Sequence, residues 1–186
     1  KKVARDYPDT KFACVDYDVR PGEELPPNLV GLRFREEEGS FLVGVLAAMH
    51  TETDRIGFVG GMDIPLIHKF EAGYIAGARH VTPGISVTVV YAGTTPQAFA
   101  DPATGKELAL LQYGRGVDVI YHASGSTGNG VIEAAREAGA YAIGVDSNQN
   151  YMAPGHVLTS MVKRVDNAVY KAIRDVLEGT FEGGIE

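Results

Sequence analysis

Three stretches of this sequence set small or polar residues directly after an apolar, β-branched run. In a parallel α/β sheet that is the position from which groups face a ligand. In the first, the run from Val117 to His122 passes through Ala123-Ser124-Gly125-Ser126-Thr127-Gly128-Asn129-Gly130 into a helical stretch starting near Val131. Glycine lets backbone approach a ligand closely, and the unsatisfied N–H groups of a helix start can donate to oxygens of a phosphate, carboxylate or sugar. As a nucleotide fingerprint the stretch fails. No Lys-Ser or Lys-Thr pair closes a phosphate loop, and Gly128-Asn129-Gly130-Val131-Ile132-Glu133 does not complete the dinucleotide pattern. The competing reading is an ordinary glycine-rich turn; the strand-end position favours a site.

In the second stretch, Tyr141 to Val145 delivers Asp146 ahead of Ser147-Asn148-Gln149-Asn150. A carboxylate there can accept two hydroxyls of a sugar, or an amine. The alternative is that Asp146 caps the following turn, which the polar cluster also suits. In the third, Lys163 follows the run from His156 to Met161, where a solvated edge is the ordinary fate of a lysine. Phe70 lies in Ile64-Pro65-Leu66-Ile67-His68-Lys69-Phe70-Glu71-Ala72-Gly73-Tyr74, and helical spacing brings it near Ile67 and Tyr74, so core packing is its default role.

Catalytic constellations do not stand out. His50, His68, His80, His122 and His156 are dispersed without ligand spacing, and no Ser, His and acid set forms. The expectation is therefore no catalytic residue, no metal and no cofactor. His122, at a strand end, reads first as a satisfied structural histidine and second as a functional one. The lone Cys14, in Phe12-Ala13-Cys14-Val15, reads as a small buried hydrophobe.

Positioning these groups requires alternating strands and helices. Strand-like runs are Lys11 to Asp16, Val30 to Phe34, Arg55 to Val59, Ser86 to Tyr91, Val117 to His122, Tyr141 to Val145 and His156 to Met161; their near-continuous apolar character suits strands covered on both faces. Helical spacing runs over Ser40 to His50, Pro65 to His80, Pro102 to Gly114, Gly130 to Ala138 and Val165 to Glu178. Ser40 and Asp101 suit N-caps, Pro102 suits a first turn, and Gly139 and Gly179 fall where helices commonly end. The pattern predicts an α/β fold with parallel sheets.

The chain has 186 residues, 45% hydrophobic and 22% charged, with a net charge of -7. It can bury a real core as one large or two small domains. Its acids are scattered and no basic stripe offers itself to a phosphate backbone, which argues against nucleic acid as a partner. No apolar run reaches the ~18 to 20 residues of a membrane span, and Lys1 to Asp6 lacks the apolar centre of a signal peptide. Lys1 to Tyr7 reads as the end of a helix and Pro8-Asp9-Thr10 as a turn, as expected of a fragment.

Longer stretches are specific enough to suggest a family. Phe34-Arg35-Glu36-Glu37-Glu38-Gly39-Ser40-Phe41-Leu42-Val43-Gly44, Ile56-Gly57-Phe58-Val59-Gly60-Gly61-Met62-Asp63-Ile64-Pro65, Phe70-Glu71-Ala72-Gly73-Tyr74-Ile75-Ala76-Gly77-Ala78, Ile143-Gly144-Val145-Asp146-Ser147-Asn148-Gln149 and Leu158-Thr159-Ser160-Met161-Val162-Lys163 resemble, in order and over nearly the whole chain, the basic membrane protein family. These are substrate-binding lipoproteins of nucleoside ABC transporters. The resemblance implies a type I periplasmic-binding fold: two Rossmann-like lobes with parallel sheets, the first lobe incomplete here. On that template residues 1–53 end the first lobe, 54–158 form the second and 159–186 return to the first, with crossings at Thr51 to Asp54 and near Leu158 to Ser160. It also implies that the opening strands, with a lipid-modified cysteine and part of the site, and the closing tail lie outside this sequence.

Carried to matching positions, the resemblance implies a purine nucleoside site. Phe70 would stack on one face of the base, Asp146 would hold the ribose hydroxyls, Lys163 would add a hydrogen bond to ribose, and the backbone of Gly125, Ser126, Thr127 and Gly128 would line the sugar pocket. The implied partners are a purine nucleoside and ABC transporter permease subunits, at the cell envelope, with membrane contact only through the lipid anchor. A sensory or regulatory protein of the same fold is the runner-up, and a nucleotide-dependent Rossmann enzyme comes after it.

Overall fold

The computed structural model describes residues 1–17, 19 and 22–186. In its first part the elements are α1 (Lys2–Asp6), β1 (Phe12–Val15), β2 (Leu29–Leu32), α2 (Glu36–His50), β3 (Arg55–Met62), α3 (Pro65–Val81) and β4 (Ser86–Gly93). A short 3-10 helix (Pro96–Phe99) leads to α4 (Pro102–Tyr113), β5 (Val119–Ala123), α5 (Thr127–Ala138) and β6 (Tyr141–Asp146). A second 3-10 turn (Asn150–Met152), β7 (Val157–Val162), α6 (Val165–Glu178) and β8 (Gly184–Ile185) follow.

These elements form two compact units, Lys1–Phe34 with Arg164–Glu186, and Arg35–Lys163. The smaller unit holds a parallel sheet in the order β1-β2-β8, with α6 against β1. Cys14 is exposed there, not buried as expected, because β1 is an edge strand whose middle residues face outward. The two-residue strand β8 is a further departure. Its Gly184 and Ile185 carry no strand pattern, and they become a strand by pairing with Val30 and Gly31.

The larger unit is a five-stranded parallel sheet ordered β4-β3-β5-β6-β7. One face carries α2 and α3 over a core that includes Val43, Phe58, Tyr74, Tyr121 and Ile143. The other carries α4 and α5 over Val59, Ala109, Ile120 and Val131. β3, β5 and β6 are buried along most of their length, matching their continuous apolar runs. Residues 35–53, which the sequence template groups with the first lobe, include all of α2, which packs on α3 and β7 within this unit.

α2 starts at Glu36, four residues before the predicted start. Glu36, Glu37 and Glu38 fill its first turn, where acidic side chains meet the positive end of the helix dipole. Ser40 is consequently no cap: it lies inside the helix, fully buried, with its hydroxyl 3.1 Å from that of Tyr121. The other capping expectations hold. Asp101 accepts a bond from the Thr104 amide at 3.1 Å, and Gly139 and Gly179 end α5 and α6 in the left-handed conformation. The seam between α2 and α3 is built on backbone proximity: a methyl at Gly73 would collide with the Glu37 carbonyl, and one at Gly77 with that of Phe41.

Candidate functional site

All five strands of the larger unit run the same way, so their carboxyl ends share one edge. β3 continues to β4 on one side and the chain then returns to β5 on the other, which makes the gap between β3 and β5 the switch point of the sheet. Ligands of open α/β sheets bind at such a point. The polar residues singled out from sequence are delivered to this edge.

The loop after β5 is shorter than expected, because α5 begins at Thr127. Gly125 and Ser126 are exposed, and Gly125 adopts φ 57°, a conformation that suits glycine. Thr127 and Gly128 are buried. The Thr127 hydroxyl donates to the Ala98 carbonyl at 2.8 Å and accepts from the Asp101 amide at 2.8 Å, stitching α5 to the turn before α4. Gly128 lies against the His122 ring, which leaves no room for a side chain. Two of the four loop positions thus have packing reasons for their identity, while Gly125 and Ser126 present themselves to solvent.

His122 is fully buried and its Nε2 is 2.9 Å from Gln149 Oε1, an atom that also accepts the Val145 amide at 2.8 Å. An amide oxygen only accepts, so the proton is on Nε2, and Nδ1 faces the Ser124 hydroxyl at 3.5 Å. Loss of hydration pulls the imidazole down to about 4, against which the Gln149 bond works. His122 is the structural histidine of the first reading: neutral, and holding the Ser147-to-Asn150 turn to β5. Gln149 N completes the tie by donating to Ser160 Oγ at 3.0 Å.

Asp146 ends β6 with an exposed side chain and φ 65°, a left-handed conformation uncommon for a residue with a Cβ. Its carbonyl accepts the Lys163 amide at 2.9 Å, so the two predicted ligand residues are joined at the backbone. Lys163 is no solvated edge lysine: its side chain is 5% exposed, and Nζ lies 3.1 Å from Glu36 Oε1 and 5.9 Å from the centre of the Phe70 ring. Glu36 is itself buried, and its other oxygen is 3.1 Å from Lys69 Nζ. Tyr121 lies close to this charge. Burial pushes its hydroxyl well above the usual tyrosine range, and the Asp146 and Glu36 carboxylates push it further, so it remains protonated.

Phe70 does not offer a base a free face. It is 3% exposed, packed with Ile67, Tyr74 and Val145, and has the Lys163 ammonium within cation–π range. Its default core role is what the structure describes. A different aromatic occupies the switch point. Phe99, at the end of the first 3-10 helix, is half-buried, with its ring against the Gly61 backbone of β3. Its carbonyl accepts the Ser126 amide at 2.9 Å and the Ser126 hydroxyl at 3.1 Å, which anchors it to the loop after β5. Sequence reading passed over it because Thr95-Pro96-Gln97-Ala98-Phe99-Ala100 has neither helical nor strand period. The available signal was an aromatic in a polar turn immediately before the Asp101 cap.

Among the described residues, no group of His, Cys, Asp and Glu side chains is arranged to hold a metal, and no helix is long and apolar enough to cross a membrane.

Parallel sheets with helices on both faces and ligand-type groups gathered at the carboxyl edge are the architecture of type I periplasmic-binding proteins, and that is the fold of this chain. Residues 1–186 match the Bmp family, described as ABC transporter substrate-binding protein PnrA-like, and the chain belongs to that family. Among its relatives is basic membrane protein A1 of Borrelia garinii subsp. bavariensis, 40% identical over 99% of this chain and 54% of the relative. The chain thus spans about half the length of the curated relatives it matches. An ABC transporter solute-binding protein of Aeropyrum pernix is similar in structure, with a TM-score of 0.87 and 37% identity over 99% of this chain and 52% of that one. A transcriptional activator of the comK gene from Bacillus halodurans is more distant, with a TM-score of 0.78 and 26% identity over 100% and 61%.

Proposed function

We propose that the protein carrying this chain is the substrate-binding component of an ABC transporter, that it binds a nucleoside with a purine base, and that it hands this ligand to permease subunits at the cell envelope. Family membership supports the transport role. The observation that carries the ligand is the pairing, at one sheet edge, of an exposed carboxylate with a half-exposed aromatic ring: Asp146 at the end of β6 and Phe99 across the switch point. A carboxylate matches a vicinal diol through charge-assisted hydrogen bonds, and an aromatic face stacks on a base whatever its identity.

In this reading Asp146 holds the ribose hydroxyls, Lys163 donates to the same sugar, and Gly125 and Ser126 line its pocket, with Thr127 and Gly128 fixing their position. Phe99 takes the stacking role first assigned to Phe70, while Phe70 supports the Lys163 ammonium from beneath. Attachment to the membrane through a lipid anchor and two lobes closing on the ligand complete the proposal. Closure would be what a permease recognises, since a ligand shifts a conformational equilibrium only through differential affinity for its states.

The test is calorimetric titration of adenosine, guanosine and inosine into wild type and Asp146→Ala. Removing one side of a charge-assisted pair leaves the diol unmatched, and the expected loss is roughly 2 to 3 kcal/mol of binding. Undiminished affinity in a folded Asp146→Ala protein removes Asp146 from the site.

A ligand-sensing regulator is the second reading, favoured by the likeness to the comK activator. A DNA-binding or signalling segment encoded in the same gene would select it over transport.

A further inference from the structure

Glu36 was not among the residues expected to matter, yet it is the most thoroughly buried carboxylate in the larger unit, with a side chain 1% exposed. It is the first residue of α2, where the helix dipole favours a negative charge. Its two oxygens are divided between two ammonium groups, Oε1 to Lys163 and Oε2 to Lys69, each at 3.1 Å. A buried ion pair is weak grounds for stability, because desolvation cancels much of its attraction. Its retention calls for another reason.

Position in the chain supplies one. The larger unit runs from Arg35 to Lys163, so Glu36 and Lys163 stand beside the two points where the backbone passes between units. The pair joins an entry segment to an exit segment that are 127 residues apart in sequence (163 − 36 = 127). Lys163 is also bonded through its amide to the Asp146 carbonyl, so fixing its ammonium fixes it relative to the carboxylate at the end of β6. The α2–α3 seam, with its backbone-close glycines, sets Lys69 of α3 against Glu36 from the other side.

We propose that Glu36 is a positioning residue for ligand binding: it aims the Lys163 ammonium at the sugar of the ligand and, in doing so, holds together the two segments at which the chain changes units. The inference rests on the assignment of Lys163 to the ligand made above. Glu36 touches no ligand itself and acts through Lys163.

A double-mutant cycle on the full-length gene product tests this, using Glu36→Gln, Lys163→Met and the pair, titrated with inosine and with hypoxanthine, which carries the same base without ribose. Glu36→Gln is expected to weaken inosine binding by about 10- to 100-fold, by analogy with the loss when a residue orienting a metal ligand is removed. Its effect on hypoxanthine is expected to stay within about twofold, as for uncoupled sites. Added to Lys163→Met, Glu36→Gln is expected to change inosine affinity by no more than about twofold, because its route to the ligand is already gone. A folded Glu36→Gln protein with wild-type inosine affinity overturns the proposal, as does full additivity in the cycle. If Lys163→Met itself leaves inosine affinity intact, the assignment of Lys163 to the ligand fails, and the inference falls with it. Should Glu36→Gln not fold, Lys69→Met releases Glu36 from its other side; a severalfold loss for inosine alone supports the positioning role, and no loss refutes it.

Discussion

Asp146 has a backbone conformation that costs most residues with a side chain about 1 to 2 kcal/mol, and Asp is among the few that adopt it readily. That single φ of 65° places a carboxylate beyond the end of β6. Residues held in sparsely populated conformations concentrate at ligand sites, where surrounding structure over-determines them. Phe99 and Phe70 form an informative contrast. Phe99→Ala is expected to weaken nucleoside binding by about 1 to 3 kcal/mol with little change in melting temperature, since its ring lies at the edge of the core. Phe70→Ala is expected to lower stability by about 3 to 5 kcal/mol, the usual cost of emptying a buried aromatic site. Calorimetry and thermal melts on both variants decide whether the roles are divided in this way. Asp146 was legible in the sequence because a strand's last residue is exposed to the site edge by topology alone. Phe99 was not, because its turn has no period; Lys163 drew its ligand role from the family resemblance alone, and its burial against Glu36 is a product of tertiary packing that no local pattern carries.

At the scale of elements, strands and helices of the larger unit followed from their patterns: continuous apolar runs for strands buried on both faces, and 3.6-residue spacing for their helices. Departures came where a non-local partner decides. α2 begins at Glu36 because three acids meet its dipole and one of them meets two lysines across the fold. Gly128 reads as a loop glycine in sequence and is a helical one, set by the His122 ring beneath it. His122 gives the element a pH signature. Its folded value of about 4 lies below the ordinary 6.5, so its contribution to stability is present above about pH 6.5 and is lost as pH falls toward 4. The loss is on the order of 3 kcal/mol. Denaturant unfolding across that range measures it, and His122→Asn, which keeps a donor for Gln149 without a titrating ring, is expected to flatten that part of the profile. An unchanged profile would mean that the imidazole gains water or another partner. The α2–α3 seam supports a second test: Gly77→Leu must push against the Phe41 carbonyl and is expected to cost at least about 1 to 3 kcal/mol in thermal unfolding. A neutral result would show that the helices can separate freely.

The whole molecule combines a solute-binding fold with a proposed site whose residues Asp146, Lys163, Phe99, Gly125 and Ser126 all belong to the larger unit. Families on this architecture differ in what they bind through side chains at the sheet edge, so a ligand has to be argued from the edge residues and not from the fold. In the proposed site, a carboxylate for a diol, a lysine beside it and an aromatic at the switch point would favour a nucleoside over a free amino acid or a plain sugar, which would need no stacking surface. Transport and sensing share that requirement and part company only in what the bound form contacts. Isothermal titration of the full-length gene product with inosine, ribose and hypoxanthine tests the proposed ligand chemistry. The expected result is inosine binding at micromolar Kd or tighter, with ribose and hypoxanthine each far weaker and the ligand recovered unchanged. Ribose binding as tightly as inosine, or no binding of any nucleoside, would contradict it.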